Sequence, residues 1–319
     1  MKIFDNSVAL FLQNMRGKNY SQASVKSYIS ALKFYERFLK LYSVEEPFTF
    51  ETVVLFANYL NNLKKNGALS FCSIDNYYSK IRVFGNFLYS EKLVFANYFD
   101  AVKIFREKRA GAGRRGIPVK QMKKILQQPD IKKPKGIRDR AILELFYSTG
   151  IRIAELCGLQ IYDIDLNAGF IKVSGKGGKE RIVPVGKSAC FFLDEYINKI
   201  RINYLKDLTE KKLFVTYYGS PLSITAIGKY VKYYIKSAAI QQKYSCHSFR
   251  HTCAVEMLKG GASIKHTQEM LGHSRISTTN IYTQLTPQDL IKIYRKTHPA
   301  NWIFTELVTH IETAAGLQG

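Results

Sequence analysis

Apolar positions recur at helical spacing through the first hundred residues. Val25, Tyr28, Ile29, Leu32, Tyr35 and Leu39 fall on one stripe, with Ser21 or Ser24 placed to cap it. Phe50, Val53, Val54, Ala57 and Leu60 make a second stripe, which Gly67 ends, and Ile74, Tyr77, Ile81, Phe84 and Leu88 make a third. A shorter helix is expected between Phe95 and Phe105. Residues 1–104 therefore read as a compact helical domain.

The pattern stops at residue 105. Residues 105–118 hold Arg106, Lys108, Arg109, Arg114 and Arg115 among Gly111, Gly113 and Gly116, which predicts a flexible cationic linker. Periodicity resumes beyond it. Pro118 is expected as the first residue of a helix. A second helix, from Ile137 to about Ser148, uses Ala141, Ile142, Leu145 and Phe146 and stops at Gly150. The period then changes from helical to twofold. Phe170–Ser174 and Glu180–Val185 alternate like strands, and Gly175-Lys176-Gly177-Gly178-Lys179 between them reads as a hairpin turn. Residues 224–239 and 288–296 return to helical spacing, and Gly260-Gly261 and Gly272 break two helices between them. The expected fold is mainly α with a small antiparallel β-sheet. It comprises a helical domain (1–104), a linker (105–118), a second domain (119–300) and an extension (301–319).

Charge changes the picture more than composition does. Of 319 residues, 46% are hydrophobic and 23% charged, ordinary for a globular chain, but the formal net charge is +23. That excess points to an extended anionic partner, with nucleic acid first. The linker cations suit a strap along phosphates, and Lys229, Lys232 and Lys236 share one helical face. No run approaches the length of a membrane span, and the N-terminus lacks a signal-peptide layout, so a soluble cytoplasmic protein without membrane contact is expected. The five cysteines are scattered without a Cys-x-x-Cys pair, as expected of reduced thiols.

The candidate chemistry lies between His247 and Tyr282. His247, Arg250 and His251 are spaced i, i+3, i+4 and share a helical face. A histidine pair at this spacing also suggests a metal. Here Ser248, Phe249 and Arg250 fill the interval, so the glutamate of a zinc-protease helix is missing and a fixed cation sits between the ligands. No metal site is expected. A tyrosine hydroxyl can act as a covalent nucleophile, arginine presents a planar fork to phosphate oxygens, and histidine exchanges protons near neutrality. Together they suit attack on a phosphodiester.

His247-Ser248-Phe249-Arg250-His251, Leu271-Gly272-His273 and Ile281-Tyr282-Thr283 stand in the order of the C-terminal signature of the tyrosine recombinases. The chain resembles that family, also called the lambda-integrase family, and especially its Xer-type members. Gly150-Ile151-Arg152-Ile153-Ala154-Glu155-Leu156 resembles the family's first arginine motif, and Gly175-Lys176-Gly177 its catalytic hairpin. The resemblance implies a two-domain DNA clamp with a helical core-binding domain. It implies Arg152, Lys176, His247, Arg250, His273 and Tyr282 as catalytic. Tyr282 would form a 3′-phosphotyrosyl link, Arg152 and Arg250 would hold the non-bridging oxygens, and Lys176 would protonate the leaving 5′-oxygen. Lys179 is the rival for that proton and otherwise a phosphate contact. His247 would move the tyrosine proton, and His273 would bond the phosphate. Such strand exchange conserves bond energy and implies no cofactor. The implied partner is a double-stranded DNA site, bound by a homotetramer or by a heterotetramer with a second recombinase. A type IB topoisomerase shares the chemistry, and a sequence-specific repressor shares the charge. Residues 301–319, with Trp302 and Phe304, depart from the family pattern.

Overall fold

The computed structural model describes residues 2–102, 104, 116–175, 180–272 and 287–301. The chain divides into two compact units, residues 1–111 and 112–319.

The first unit is built from α1 (Lys2–Gly17), α2 (Gln22–Leu41), α3 (Phe50–Lys65), α4 (Phe71–Ser90) and a single turn, α5 (Tyr98–Ala101). The three stripes became α2 to α4. Ser21 caps α2 by accepting from the Ser24 backbone N–H, and Thr49 and Ser70 cap α3 and α4 in the same way. The helix expected between Phe95 and Phe105 shrinks to four residues. Helix α1 was not foreseen. Its buried face is Phe4, Ser7, Phe11 and Met15, while Ile3 and Leu10 stay exposed, so a polar residue inside and apolar ones outside blur the period. The core is largely aromatic: Phe4, Phe11, Tyr35, Phe38, Phe56 and Phe84 are each at most 4% exposed. The hydroxyls brought inside are satisfied, Tyr35 donating to Pro47 O and Tyr78 to Val102 O.

The second unit opens with α6 (Val119–Leu126), α7 (Pro134–Thr149) and α8 (Ile153–Gly158). Pro118 is the N-cap of α6 rather than its first residue, because its ψ of 144° is extended. A three-stranded antiparallel sheet follows, β1 (Ile164–Asp165), β2 (Phe170–Ser174) and β3 (Glu180–Pro184). Its register sets Val173 opposite Arg181 and Ser174 opposite Glu180. Then come α9 (Lys187–Glu195), a π-helical turn (Tyr196–Arg201) and α10 (Ile202–Tyr204), none of them foreseen. The unit ends with α11 (Ile224–Ser237), α12 (Cys246–Lys259), α13 (Ile264–Leu271) and α14 (Pro287–Thr297).

Helix α7 is the spine of this unit. It starts one turn earlier than its apolar spacing suggests, with Pro134 at its first position. From Arg138 to Thr149 it is buried on all sides, charged residues included. Arg138 pairs with Asp139 at 2.8 Å, and Asp139 also accepts from the Tyr234 hydroxyl at 2.8 Å. Arg140 pairs with Glu144 at 2.7 Å. Charges this deep persist only when paired and hydrogen-bonded. These pairs tie α7 to its surroundings, and its C-terminal end opens onto the candidate site. Among the described residues, no helix is long and apolar enough to cross a membrane.

Candidate functional site

Helix α7 ends at Gly150, which takes a left-handed φ of 60°. The chain reverses there and starts α8 within three residues. Glu155, in the first turn of α8, accepts from the backbone N–H of Arg152 at 2.8 Å. The same carboxylate accepts from Arg152 Nη1 at 2.8 Å. One acidic residue therefore caps the helix and orients the arginine that precedes it.

Arg250 arrives from α12, nearly a hundred residues later. It donates through Nη1 to Gly150 O at 2.9 Å and through Nη2 to Leu271 O at 2.6 Å. His247 and His251 lie on the same helix but are exposed, whereas Arg250 is turned partly inward. Helix α13 supplies the floor. Its last carbonyls lack intrahelical partners and carry the negative end of the helix dipole. Three arginines from three elements occupy them in succession. Arg181 Nε donates to Met270 O at 2.9 Å, Arg250 Nη2 to Leu271 O at 2.6 Å, and Arg152 Nη2 to Gly272 O at 3.2 Å. His273 is the next residue in sequence.

Arg181 belongs to none of the sequence motifs, yet it is the principal partner of Glu155. Its Nη1 reaches Oε1 at 3.0 Å and its Nη2 reaches Oε2 at 2.9 Å. The signal was present in the strand alternation. Arg181 lies on the same face of β3 as the buried Val183 and opposite the buried Val173, a register position that ordinarily takes an apolar side chain.

The electrostatics follow from this packing. Burial raises the Glu155 carboxyl, but hydrogen bonds from Arg181 and then from the Arg152 backbone outweigh it and hold it below its ordinary value. Burial first, and then the nearby Arg152, push the Arg250 guanidinium down to about 10. Two guanidinium groups thus share the Glu155 carboxylate and a third, Arg250, is held by carbonyls alone, leaving an excess of positive charge in a half-buried setting. A phosphodiester supplies the compensating charge, and planar forks match its oxygens.

Of the residues expected to be catalytic, the structure brings Arg152 and Arg250 together and leaves His247 exposed on the first turn of α12. Lys176, His273 and Tyr282 lie outside the described residues, as do Lys179, Arg106, Lys108, Arg109, Arg114 and Arg115. Lys229, Lys232 and Lys236 are exposed along α11.

A model of the phage integrase family matches residues 116–289. The chain is 36% identical over 282 residues to a tyrosine recombinase XerD of Staphylococcus haemolyticus (strain JCSC1435), covering 88% of this chain and 94% of that protein. It is 35% identical over 285 residues to a tyrosine recombinase XerC of Myxococcus xanthus, covering 88% and 93%. Among solved structures, a lambda integrase tetramer bound to a Holliday junction superposes with a TM-score of 0.66 at 18% identity, covering 88% of this chain and 80% of that one. The XerH recombinase bound to its difH substrate superposes with a TM-score of 0.61 at 23% identity, covering 89% and 82%. The chain belongs to the phage integrase family and is a tyrosine recombinase of the Xer type.

Proposed function

We propose that this chain carries out site-specific recombination of double-stranded DNA, cutting and rejoining strands through a covalent link to Tyr282. The carrying observation is that Arg152 and Arg250, separated by nearly a hundred residues, meet on consecutive carbonyls at the end of α13, directly before His273. Two forks so placed can hold the non-bridging oxygens of one phosphate. Preorganised donors of this kind typically contribute about 10²–10³ each in rate.

The Tyr282 oxygen attacks the scissile phosphorus as its proton leaves through His247. The phosphorus–5′-oxygen bond breaks and Lys176 protonates the departing oxygen. His273 hydrogen-bonds the phosphate. A 5′-hydroxyl from another strand then attacks the phosphotyrosyl bond and releases the tyrosine. Two DNA sites and four protomers complete the exchange through a Holliday junction, as a homotetramer or with a second recombinase. Residues 1–104 and 119–300, joined by the basic segment 105–118, clamp the duplex. The working compartment is the cytoplasm, on the nucleoid when DNA is bound. Relaxation of supercoils by a type IB topoisomerase would use the same covalent step, but the Xer-type relatives favour recombination.

The test is trapping on a nicked suicide duplex read on a denaturing gel. The unmodified chain yields a covalent protein–DNA band, and Tyr282→Phe yields none while still binding the duplex. A persisting band in Tyr282→Phe moves the nucleophile elsewhere.

A further inference from the structure

The structure assigns Arg181 as a positioning residue: it is the counterion of Glu155, and by holding that carboxylate it leaves the charge of Arg152 available to a phosphate. This inference rests on the reading of Arg152 as a phosphate ligand.

Two arginines compete for one buried carboxylate, and they do so unequally. The Glu155 side chain is 5% exposed and accepts four hydrogen bonds. Two come from Arg181 as a parallel fork, one on each oxygen. Arg152 contributes one guanidinium contact and its backbone N–H. A bidentate fork is the stronger and more directional arrangement. Exposure divides the two arginines in the same sense. The Arg181 side chain is 14% exposed, and all three of its nitrogens already donate, two to Glu155 and one to Met270 O. The Arg152 side chain is 40% exposed. Arg181 faces the protein, and Arg152 faces solvent, where a duplex would lie.

The fold makes room for this arrangement. A Cβ at Gly272 would lie 3.1 Å from three atoms of the Arg181 guanidinium group, so the arginine packs directly on the glycine backbone. Removing Arg181 would leave Glu155 buried with Arg152 as its remaining side-chain cation. A buried carboxylate does not tolerate partial pairing, so it would draw Arg152 inward as a closed neutral pair. The phosphate would then lose one of its cations although Arg152 is still present.

This yields an outcome that a merely structural role does not. Single-turnover cleavage of the nicked suicide duplex at saturating DNA is measured for the unmodified chain, Arg181→Met, Arg181→Lys and Arg181→Met combined with Glu155→Gln. Thermal melting and duplex binding are followed on the same preparations. Arg181→Met should cleave about 10²-fold more slowly. Arg181→Lys, which keeps the charge and loses the fork, should stay within about tenfold of the unmodified chain. Adding Glu155→Gln to Arg181→Met removes the competing carboxylate and should restore at least about tenfold of the lost rate. Cleavage by Arg181→Met at the unmodified rate overturns the inference, as does a double variant no faster than Arg181→Met. Should Arg181→Met not fold, the lysine variant decides, and a loss there of about 10²-fold or more overturns the counterion role. An unmodified chain that forms no covalent complex brings down the reading of the site, and the inference with it.

Discussion

Gly150 faces Leu271 with no space for a methyl group between them. A Cβ at position 150 would lie 2.8 Å from Leu271 Cδ2 and 3.1 Å from Cys253 Cβ, and the φ of 60° is already left-handed. This contact sets the end of α7 against the end of α13, and it is across that junction that Arg152 and Arg250 reach their carbonyls.

Gly150→Ala should therefore lower the stability of the second unit. Left-handed backbone costs a non-glycine residue about 1–2 kcal/mol, and overpacking adds about 1–3 kcal/mol. Denaturant titration of the full chain should show a loss of about 2–5 kcal/mol in the transition that reports the second unit. A midpoint equal to that of the unmodified chain would mean the junction relaxes freely.

Glu155 should leave an acid signature. Its carboxyl titrates below its ordinary value because of Arg181 and Arg152. The sign follows from linkage. A carboxylate with a depressed folded pKa contributes stability that is present above its unfolded pKa, about 4.3, and lost as pH falls through the folded one. Melting temperature against pH should fall less steeply below about pH 4 in Glu155→Gln than in the unmodified chain. At pH 7 the variant should be less stable, because Arg181 and Arg152 lose their shared counter-charge while keeping only the carbonyls of Met270 and Gly272. Parallel pH profiles would remove Glu155 as the shifted group.

Duplex binding should weaken steeply with salt. The net charge is +23, and log K falls by about 0.9 for each phosphate neutralised. Binding isotherms from about 50 to 200 mM salt measure the slope, which is expected to correspond to six or more phosphates. A flat response would argue against a phosphate-tracking interface.

The two hairpin lysines should separate by leaving group. Pairing of β2 with β3 runs to Ser174 and Glu180, so in sequence Lys176 comes one glycine after one ladder end and Lys179 directly before the other. The ladder therefore does not choose between them, and the resemblance of Gly175-Lys176-Gly177 to the family's catalytic hairpin favours Lys176. Lys176→Ala should cleave an ordinary phosphodiester about 10²–10⁴ times more slowly, the usual cost of losing a general acid. A substrate with a 5′-bridging sulfur needs no proton on its leaving group and should rescue Lys176→Ala alone. Selective rescue of Lys179→Ala would reverse the assignment.

Much of this protein is determined by short-range pattern. The stripes of α2, α3 and α4, the Gly150 stop and the two hairpin strands are local consequences of period and backbone preference, and they were legible as such. So was the chemistry class, because His247, Arg250 and His251 need only one helix to lie near one another. Helix α1 was hidden by a buried Ser7 and an exposed Leu10, since local pattern cannot tell which face a neighbour will cover. The run from α9 through the π-helical turn to α10 was likewise missed.

What only the tertiary structure decided is how charge is shared. The sequence places Glu155 three residues after Arg152 and suggests a local pair. In the fold the stronger claim on Glu155 comes from Arg181 on β3, twenty-six positions away. The carbonyls that align the three arginines belong to the end of α13 and its cap Gly272, about ninety positions further still. Spacing along a chain sets which side chains can meet within a helix or a strand. Which cation reaches a buried carboxylate depends on burial and on the unpaired ends of other helices, and these exist only once the elements have packed.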